Sequence, residues 1–271
     1  MMRLWHQSFA QLDKLPVYRA ALEEHLKKVS APGTEIVMHG MAPGTHTTMQ
    51  PGKDIGYPYI QHLHSLQFLE GVMQAEKEGY DGYLLSTLPD PYLQLAQSLV
   101  DIPVVGLGFS SMHMASFLGT RFGIVTFIPE VIPYYEENVR KYGLERLGGP
   151  VRHLGLYFDD VQRGFNDPGP VVEAFTRVVR ELIAEGVNAV IPGEVPLNLL
   201  LQRTGVHRID DVPVIDGLAT TVKTAEMLVG LRRCSKMEVT RRGYFHARPS
   251  EERIDELLRF YSGGQTTKRM A

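Results

Sequence analysis

Glu78-Gly79-Tyr80-Asp81-Gly82-Tyr83-Leu84-Leu85 returns further along the chain as Glu185-Gly186-Val187-Asn188-Ala189-Val190-Ile191-Pro192. A second pair follows: Asp101-Ile102-Pro103-Val104-Val105 and Asp211-Val212-Pro213-Val214-Ile215. The first repeat is offset by 107 residues (185 − 78), and the same offset carries Thr87 onto Glu194. Each of these residues follows a short apolar run, where a buried strand would end and a loop begin. Two related half-domains presenting equivalent loops to one cleft would bring the two side chains face to face. Thr87 and Glu194 are therefore the candidate catalytic pair.

Outward from the repeat, strand-like apolar runs alternate with helix-length amphipathic segments, the pattern of parallel βαβ units in an α/β fold. Strands are expected at Arg3–His6, Glu35–Met38, Gly82–Ser86, Pro103–Leu107, Phe122–Thr126, Val151–Leu156, Ala189–Pro192 and Val212–Ile215. Helices are expected over 16–29, 59–78, 91–100, 111–118, 131–142, 170–185, 196–204 and 217–232. Met41–Tyr57, rich in proline and glycine, reads as a long loop of the kind that serves as a lid or binding loop. Gly164–Gly169 is a second turn-rich break, and the tail from Gly263 to Ala271 is expected to be disordered. Four strands per half suggest two similar open sheets in tandem. In such sheets ligands bind beyond the carboxyl ends of the strands. The residues to read are then His6-Gln7-Ser8, His39, Ser86-Thr87, Gly108-Phe109-Ser110, Thr126, Gly193-Glu194 and Asp216-Gly217.

The 271 residues, 44% hydrophobic, suffice for a sizeable core. A net charge of −3 gives no electrostatic reason to expect nucleic acid or an anionic membrane as partner. No apolar run would span a bilayer and the start lacks a secretory segment, so a cytoplasmic protein is expected. The single cysteine, Cys234, excludes an internal disulfide and a multi-thiolate metal site. It falls at the basic end of a helix, away from the strand-end loops, and reads as incidental.

Asp101-Ile102-Pro103-Val104-Val105-Gly106-Leu107-Gly108 with Met112-His113-Met114-Ala115-Ser116, then Arg121-Phe122-Gly123-Ile124-Val125-Thr126, and finally Pro213-Val214-Ile215-Asp216-Gly217-Leu218-Ala219 through Lys223-Thr224-Ala225-Glu226-Met227-Leu228 carry a family resemblance. They resemble the aspartate/glutamate/hydantoin racemase superfamily, most nearly its hydantoin racemase branch, from about residue 75 to 237. The resemblance implies two flavodoxin-like lobes, each an open four-stranded parallel sheet with helices on both faces. It relates them by a pseudo-twofold axis with the active-site cleft between. Residues 1–111 with 213–237 would form the first lobe, 112–212 the second, and 238–271 a C-terminal extension. It also implies a homo-oligomer and two cysteine thiols that work as opposed acid and base without cofactor.

Both thiol positions are changed here. Thr87-Leu88-Pro89-Asp90-Pro91 stands where the family has its first cysteine, and Gly193-Glu194 where it has its second. The family's Asn-Pro-Asn segment near the N-terminus is His6-Gln7-Ser8, and the acidic residue expected after Gly108 is Phe109. A thiol titrates near ~8.5 and shuttles a proton at neutral pH, whereas an unaided threonine hydroxyl is far too weak an acid. Symmetric two-thiol racemisation is excluded on this reading, leaving a carboxylate on one side and a hydroxyl on the other. Glu194, desolvated in a cleft, can act as base or acid. Thr87 can donate to an enolate or oxyanion, or serve as a nucleophile beside a base. The bland alternatives are a solvated loop carboxylate for Glu194 and a helix-capping hydroxyl for Thr87.

Substrate contacts are expected from His6, Gln7, Ser8, His46, Ser86, Leu88, Ser110, Thr126, Gly193, Val195 and Asp216, with free backbone amides at Gly217 able to meet an anionic group. His62-Leu63-His64 looks like a metal pair, but on a helix its side chains point apart. His6 and His46 are the histidines able to reach the cleft. With Glu194 they would make an adequate ligand set, yet no ligand spacing supports one, and neither metal nor other cofactor is expected. No dinucleotide fingerprint or phosphate loop is present. The first functional reading is a cofactor-independent isomerase or lyase moving a proton next to a carbonyl of a small carboxylate or cyclic amide. The alternatives are a hydrolase of a cyclic imide or hydantoin, with Glu194 activating water, and a non-catalytic protein that binds a small ligand.

Overall fold

The computed structural model describes residues 1–46 and 51–262. The chain runs β1 (Met2–Ser8), α1 (Pro16–Val29), β2 (Thr34–His39), α2 (Pro51–Asp54), α3 (Pro58–Lys77), β3 (Gly82–Ser86), α4 (Leu93–Leu99), β4 (Val104–Gly106) and α5 (Leu107–Leu118). It continues through β5 (Phe122–Thr126), α6 (Ile132–Lys141), β6 (Gly148–His153), α7 (Phe158–Gly164), α8 (Gly169–Ala184), β7 (Ala189–Pro192) and α9 (Val195–Arg203). The last elements are β8 (Arg208–Ile209), β9 (Val212–Pro213), α10 (Gly217–Ser235) and α11 (Glu251–Ser262).

Two parallel sheets result, of order β2-β1-β3-β4 and β6-β5-β7. Three strands correspond, β2-β1-β3 to β6-β5-β7, with β3 and β7 carrying the two copies of the repeat. Every residue of β3, β5 and β7 is buried. That is why these strands read as continuous apolar runs rather than alternating ones. The helices pack on the sheets, with α5 touching β3 and β4 on one side and β5 and β7 on the other. Near the end of the fold α10 returns the chain to the first sheet, packing on α5, β3 and β4. Among the described residues no helix is long and apolar enough to cross a membrane.

Four expectations are corrected. The second sheet has three strands, and its fourth is reduced to one parallel bridge, Val190 to Val214, continued by the Ile215 amide donating to the Val190 carbonyl at 2.8 Å. Val212–Pro213 instead pairs antiparallel with β8. Leu107 opens α5 rather than closing β4, because the Asp90 carboxylate accepts from the Gly108 and Phe109 amides at 3.0 and 2.5 Å and starts the helix early. β6 begins at Gly148, where the strand lies so close to its neighbours that a Cβ on Gly148 would meet Val139 at 2.4 Å and one on Gly149 the Phe122 carbonyl at 2.6 Å. Helices α7 and α11 have no counterpart in the sequence reading, and α2 forms within the expected loop. The tail expected to be disordered, 263–271, lies outside the described residues.

Candidate active site

In each sheet two neighbouring strands, β1 and β3 in the first and β5 and β7 in the second, end side by side. Ser8 is level with Ser86 across β1 and β3, so Thr87 is the first residue past that edge. Val125 is level with Pro192 across β5 and β7, placing Thr126 beside Gly193 and Glu194 just beyond. A Cβ on Gly193 would lie 2.9 Å from the Val125 carbonyl oxygen and 3.0 Å from Thr126 Cα, so only glycine allows this approach. Glu194 itself has φ 53° and ψ 147°, a region that residues with a side chain rarely occupy. Ser8, Ser86, Thr87, Glu194 and Val195 all line one cavity.

The Glu194 carboxyl is buried and asymmetrically held. Its Oε1 accepts from the Thr126 hydroxyl at 2.7 Å and the Tyr135 hydroxyl at 2.5 Å. Its Oε2 is buried with no hydrogen-bond partner among the described residues. Burial pushes the pKa up from 4.5 to about 7, against the opposing pull of the Tyr135 and Thr126 hydroxyls and, more weakly, the Phe127 backbone amide. A carboxyl in this range holds both protonation states near neutrality, as a general base or acid requires. It has a cost in stability as well. Because the folded-state pKa lies above the unfolded one, this group's contribution is fully present below pH ~4.5 and is lost as pH rises through 7, by about 3 kcal/mol. Glu194→Gln is therefore expected to match the wild type at low pH and to exceed it in stability above pH 7, measured by paired urea unfolding curves. Asp90, also raised to about 7 by burial, is common to both proteins and cancels in the difference.

Two more polar atoms of this cavity's lining residues are buried without a partner among the described residues: Ser86 Oγ from the first sheet and Gln162 Nε2 from α7. The rest of the wall is mostly apolar or aromatic, including Phe9, Leu15, Tyr18, Ile55, Phe127 and Phe158, and among the described residues no arginine or lysine contributes to it. Gln162, Phe158, Tyr18 and Tyr135 were not anticipated. Tyr135 reads as a core aromatic on a helix, and only the tertiary fold aims its hydroxyl at Glu194. Tyr18 is buried, its own ionisation pushed up by desolvation, with a hydrogen bond to Ser8.

The remaining expected contacts are placed as follows. His6 is fully buried in β1; neither ring nitrogen has a partner among the described residues, and burial lowers its pKa to about 3, so it is neutral. Gln7 accepts from the Trp5 indole and donates to the Ser8 and Gly40 carbonyls, a structural bond set behind the site. Leu88 is buried core. Ser110 bonds the Gly106 carbonyl and Thr221 between α5 and α10. Thr126 reaches the chemistry through Glu194 rather than as a wall residue. Asp216 caps α10 by accepting from the Ala219 amide and lies 2.9 Å from His25 Nε2. The Gly217 amide, expected to be free, donates to Asn198. Thr87 caps no helix: α4 starts at Leu93, and the Thr87 carbonyl closes a turn with the Asp90 amide. His46 joins Asp54 and His64, not Glu194, while His62 turns to Tyr92.

Residues 17–225 match the model of the family described as Asp/Glu/Hydantoin racemase. Over 219 residues the chain is 30% identical to a hydantoin racemase of Pseudomonas sp. (strain NS671), covering 78% of this chain and 81% of that one. A hydantoin racemase of Rhizobium meliloti is 30% identical over 163 residues, 60% of this chain and 66% of its own. Among solved structures, allantoin racemase from Klebsiella pneumoniae superposes with a TM-score of 0.75 at 25% identity, covering 93% of this chain and 95% of that one. The two-sheet α/β architecture is thus that of the racemases. The chain belongs to the Asp/Glu/hydantoin racemase family, a family of isomerase-type enzymes.

Proposed function

We propose that this enzyme inverts the carbon next to a carbonyl of a small, uncharged cyclic amide of the hydantoin type, with Glu194 as the base that takes the proton from one face and water delivering a proton to the other. The observation that carries this reading is that three residues lining one cavity each hold a buried polar atom without a partner among the described residues: Glu194 Oε2, Ser86 Oγ and Gln162 Nε2. An imide offers what they need, an acidic C–H for the carboxylate and carbonyl oxygens for the two donors. Thr87, on the same wall, would add a hydroxyl to the enolate oxygen as charge develops there. The relatives that act on hydantoin and allantoin point to the same class. A carboxylate substrate fits less well, since it would place a second negative charge beside Glu194 with no arginine or lysine among the described residues of the wall to offset it.

On this mechanism Glu194 Oε2 abstracts the proton and the electron pair moves onto the carbonyl oxygen. The bonds from Thr126 and Tyr135 to Oε1 hold the carboxylate in place and limit how far burial raises its pKa. Tyr135→Phe removes one of them. The acid limb of the kcat/KM profile, near pH 7 in the wild type, is expected to move to higher pH in this variant. The reaction class itself is tested by incubating the wild type with a 5-substituted hydantoin in water labelled with deuterium and oxygen-18. Deuterium at the ring carbon without oxygen-18 supports proton transfer. Oxygen-18 in a ring-opened product would instead assign Glu194 to water activation and hydrolysis.

A further inference from the structure

The segment between β2 and α3, together with α3 itself, carries a cluster that the proposed reaction does not use. His46 Nδ1 stands 2.6 Å from Asp54 Oδ2, and His64 Nε2 stands 3.0 Å from the same oxygen. The ligand-type atoms of these three residues all lie within 4.8 Å of one another. His46 and Asp54 are buried, and the His64 side chain is 12% exposed. Among the described residues no lysine or arginine pairs with Asp54.

The other nitrogen of His46 makes the cluster informative. Its Nε2 lies 2.9 Å from the Phe9 carbonyl oxygen, which can only accept, so Nε2 carries the hydrogen. In the neutral ring, Nδ1 then aims a lone pair at a carboxylate oxygen 2.6 Å away. Two lone pairs at that separation repel, so a positive centre, either a proton or a metal cation, belongs between them. A ring N–H donated to a backbone carbonyl is also the usual device by which a metal-ligating histidine is oriented. The second imidazole, from His64, converges on the same oxygen, which a simple histidine–carboxylate pair does not require.

We propose that His46 Nδ1, Asp54 Oδ2 and His64 Nε2 bind one divalent transition-metal cation of the zinc type. Two imidazoles and one carboxylate suit zinc, cobalt or nickel, and are too poor in oxygen for calcium or magnesium. Tetrahedral bonds of ~2.1 Å place ligand atoms roughly 3.4 Å apart, so on binding the His46–Asp54 pair, now at 2.6 Å, opens by about 0.8 Å and the His64–Asp54 pair, now at 3.0 Å, by about 0.4 Å, within reach of the Asp54 and His64 side-chain torsions. Gly52 and Ile55 of the same segment, and Phe9 whose carbonyl holds His46, all stand in the wall of the cavity that contains Glu194. The cation would tie this wall to α3 and so fix its shape, without touching the reacting atoms.

Metal binding by the full chain, stripped with chelator and titrated calorimetrically with zinc, tests this, as does X-ray absorption on the zinc-loaded wild type. One equivalent is expected, with a first shell of two imidazole nitrogens and oxygen. Asp54→Ala and His64→Ala should each weaken binding by more than ~100-fold, while His62→Ala, two residues away on the same helix, binds as the wild type does. Should either variant fail to fold, the wild-type absorption spectrum decides. No stoichiometric binding, binding undiminished in both folded variants, or a first shell with fewer than two imidazoles overturns the proposal. None of these readouts depends on the catalytic reading, so the two stand or fall separately.

Discussion

Replacing Glu194 by glutamine is expected to lower kcat/KM for proton exchange by ~10²–10⁴-fold, with KM changed much less. Glutamine keeps the size of the side chain and can still accept from Thr126 and Tyr135, so the cavity keeps its shape. What disappears is the basic oxygen at Oε2, the buried atom with no partner of its own. The loss therefore falls on the transition state rather than on ground-state binding. The pH profile should report the same change. Wild-type activity is expected to rise through about pH 7 as Glu194 ionises, and that limb to be absent from the residual activity of the variant. A fall in affinity with kcat retained would instead make Glu194 a binding group.

Asp90→Ala is expected to destabilise the fold by about 3 kcal/mol, read from urea unfolding. The buried Asp90 carboxylate accepts from the Gly108 and Phe109 amides and from the Tyr142 hydroxyl at 2.8 Å. Alanine leaves all three donors without their acceptor, two of them at the start of α5, where helix amides have no internal partner. Residue 90 also sits at φ 49°, which aspartate and asparagine tolerate better than alanine. Relief of the desolvation that raises the Asp90 pKa to about 7 offsets part of the loss. Asp90→Asn, which keeps one acceptor oxygen and the backbone tolerance, should fall between the two. Since Asp90 belongs to the turn that begins at Thr87, loosening it should also lower activity, though less than Glu194→Gln does.

Three of the strands that carry the site were legible to the residue, while β1, expected over Arg3–His6, runs from Met2 to Ser8. β3, β5 and β7 lie where the apolar runs put them, because strands buried on both faces need unbroken hydrophobic sequence. The correspondence of Thr87 with Glu194 followed from the same runs. Glycines misled where they serve close approach rather than turns, as at Gly148 and Gly149 in β6. The turn residues around Gly164–Gly169 hid α7, and with it Gln162, whose part in the cavity comes from tertiary placement alone. Tyr135 could not be told from a core tyrosine, since nothing local distinguishes a buried hydroxyl that finds a carboxylate from one that finds a carbonyl. His46 and Asp54 were obscured for a related reason. Their partner His64 lies on a separate helix, and its neighbour His62 suggested a pairing that helical geometry forbids.

The most direct test of one-carboxylate chemistry is deuterium wash-in with retention, followed separately from each enantiomer of a 5-substituted hydantoin. A single base on one face should exchange the proton of one enantiomer rapidly, through Glu194, and leave the other nearly unexchanged before inversion. That fast exchange should vanish in Glu194→Gln. Equal wash-in from both enantiomers, or exchange that survives the substitution, would contradict it.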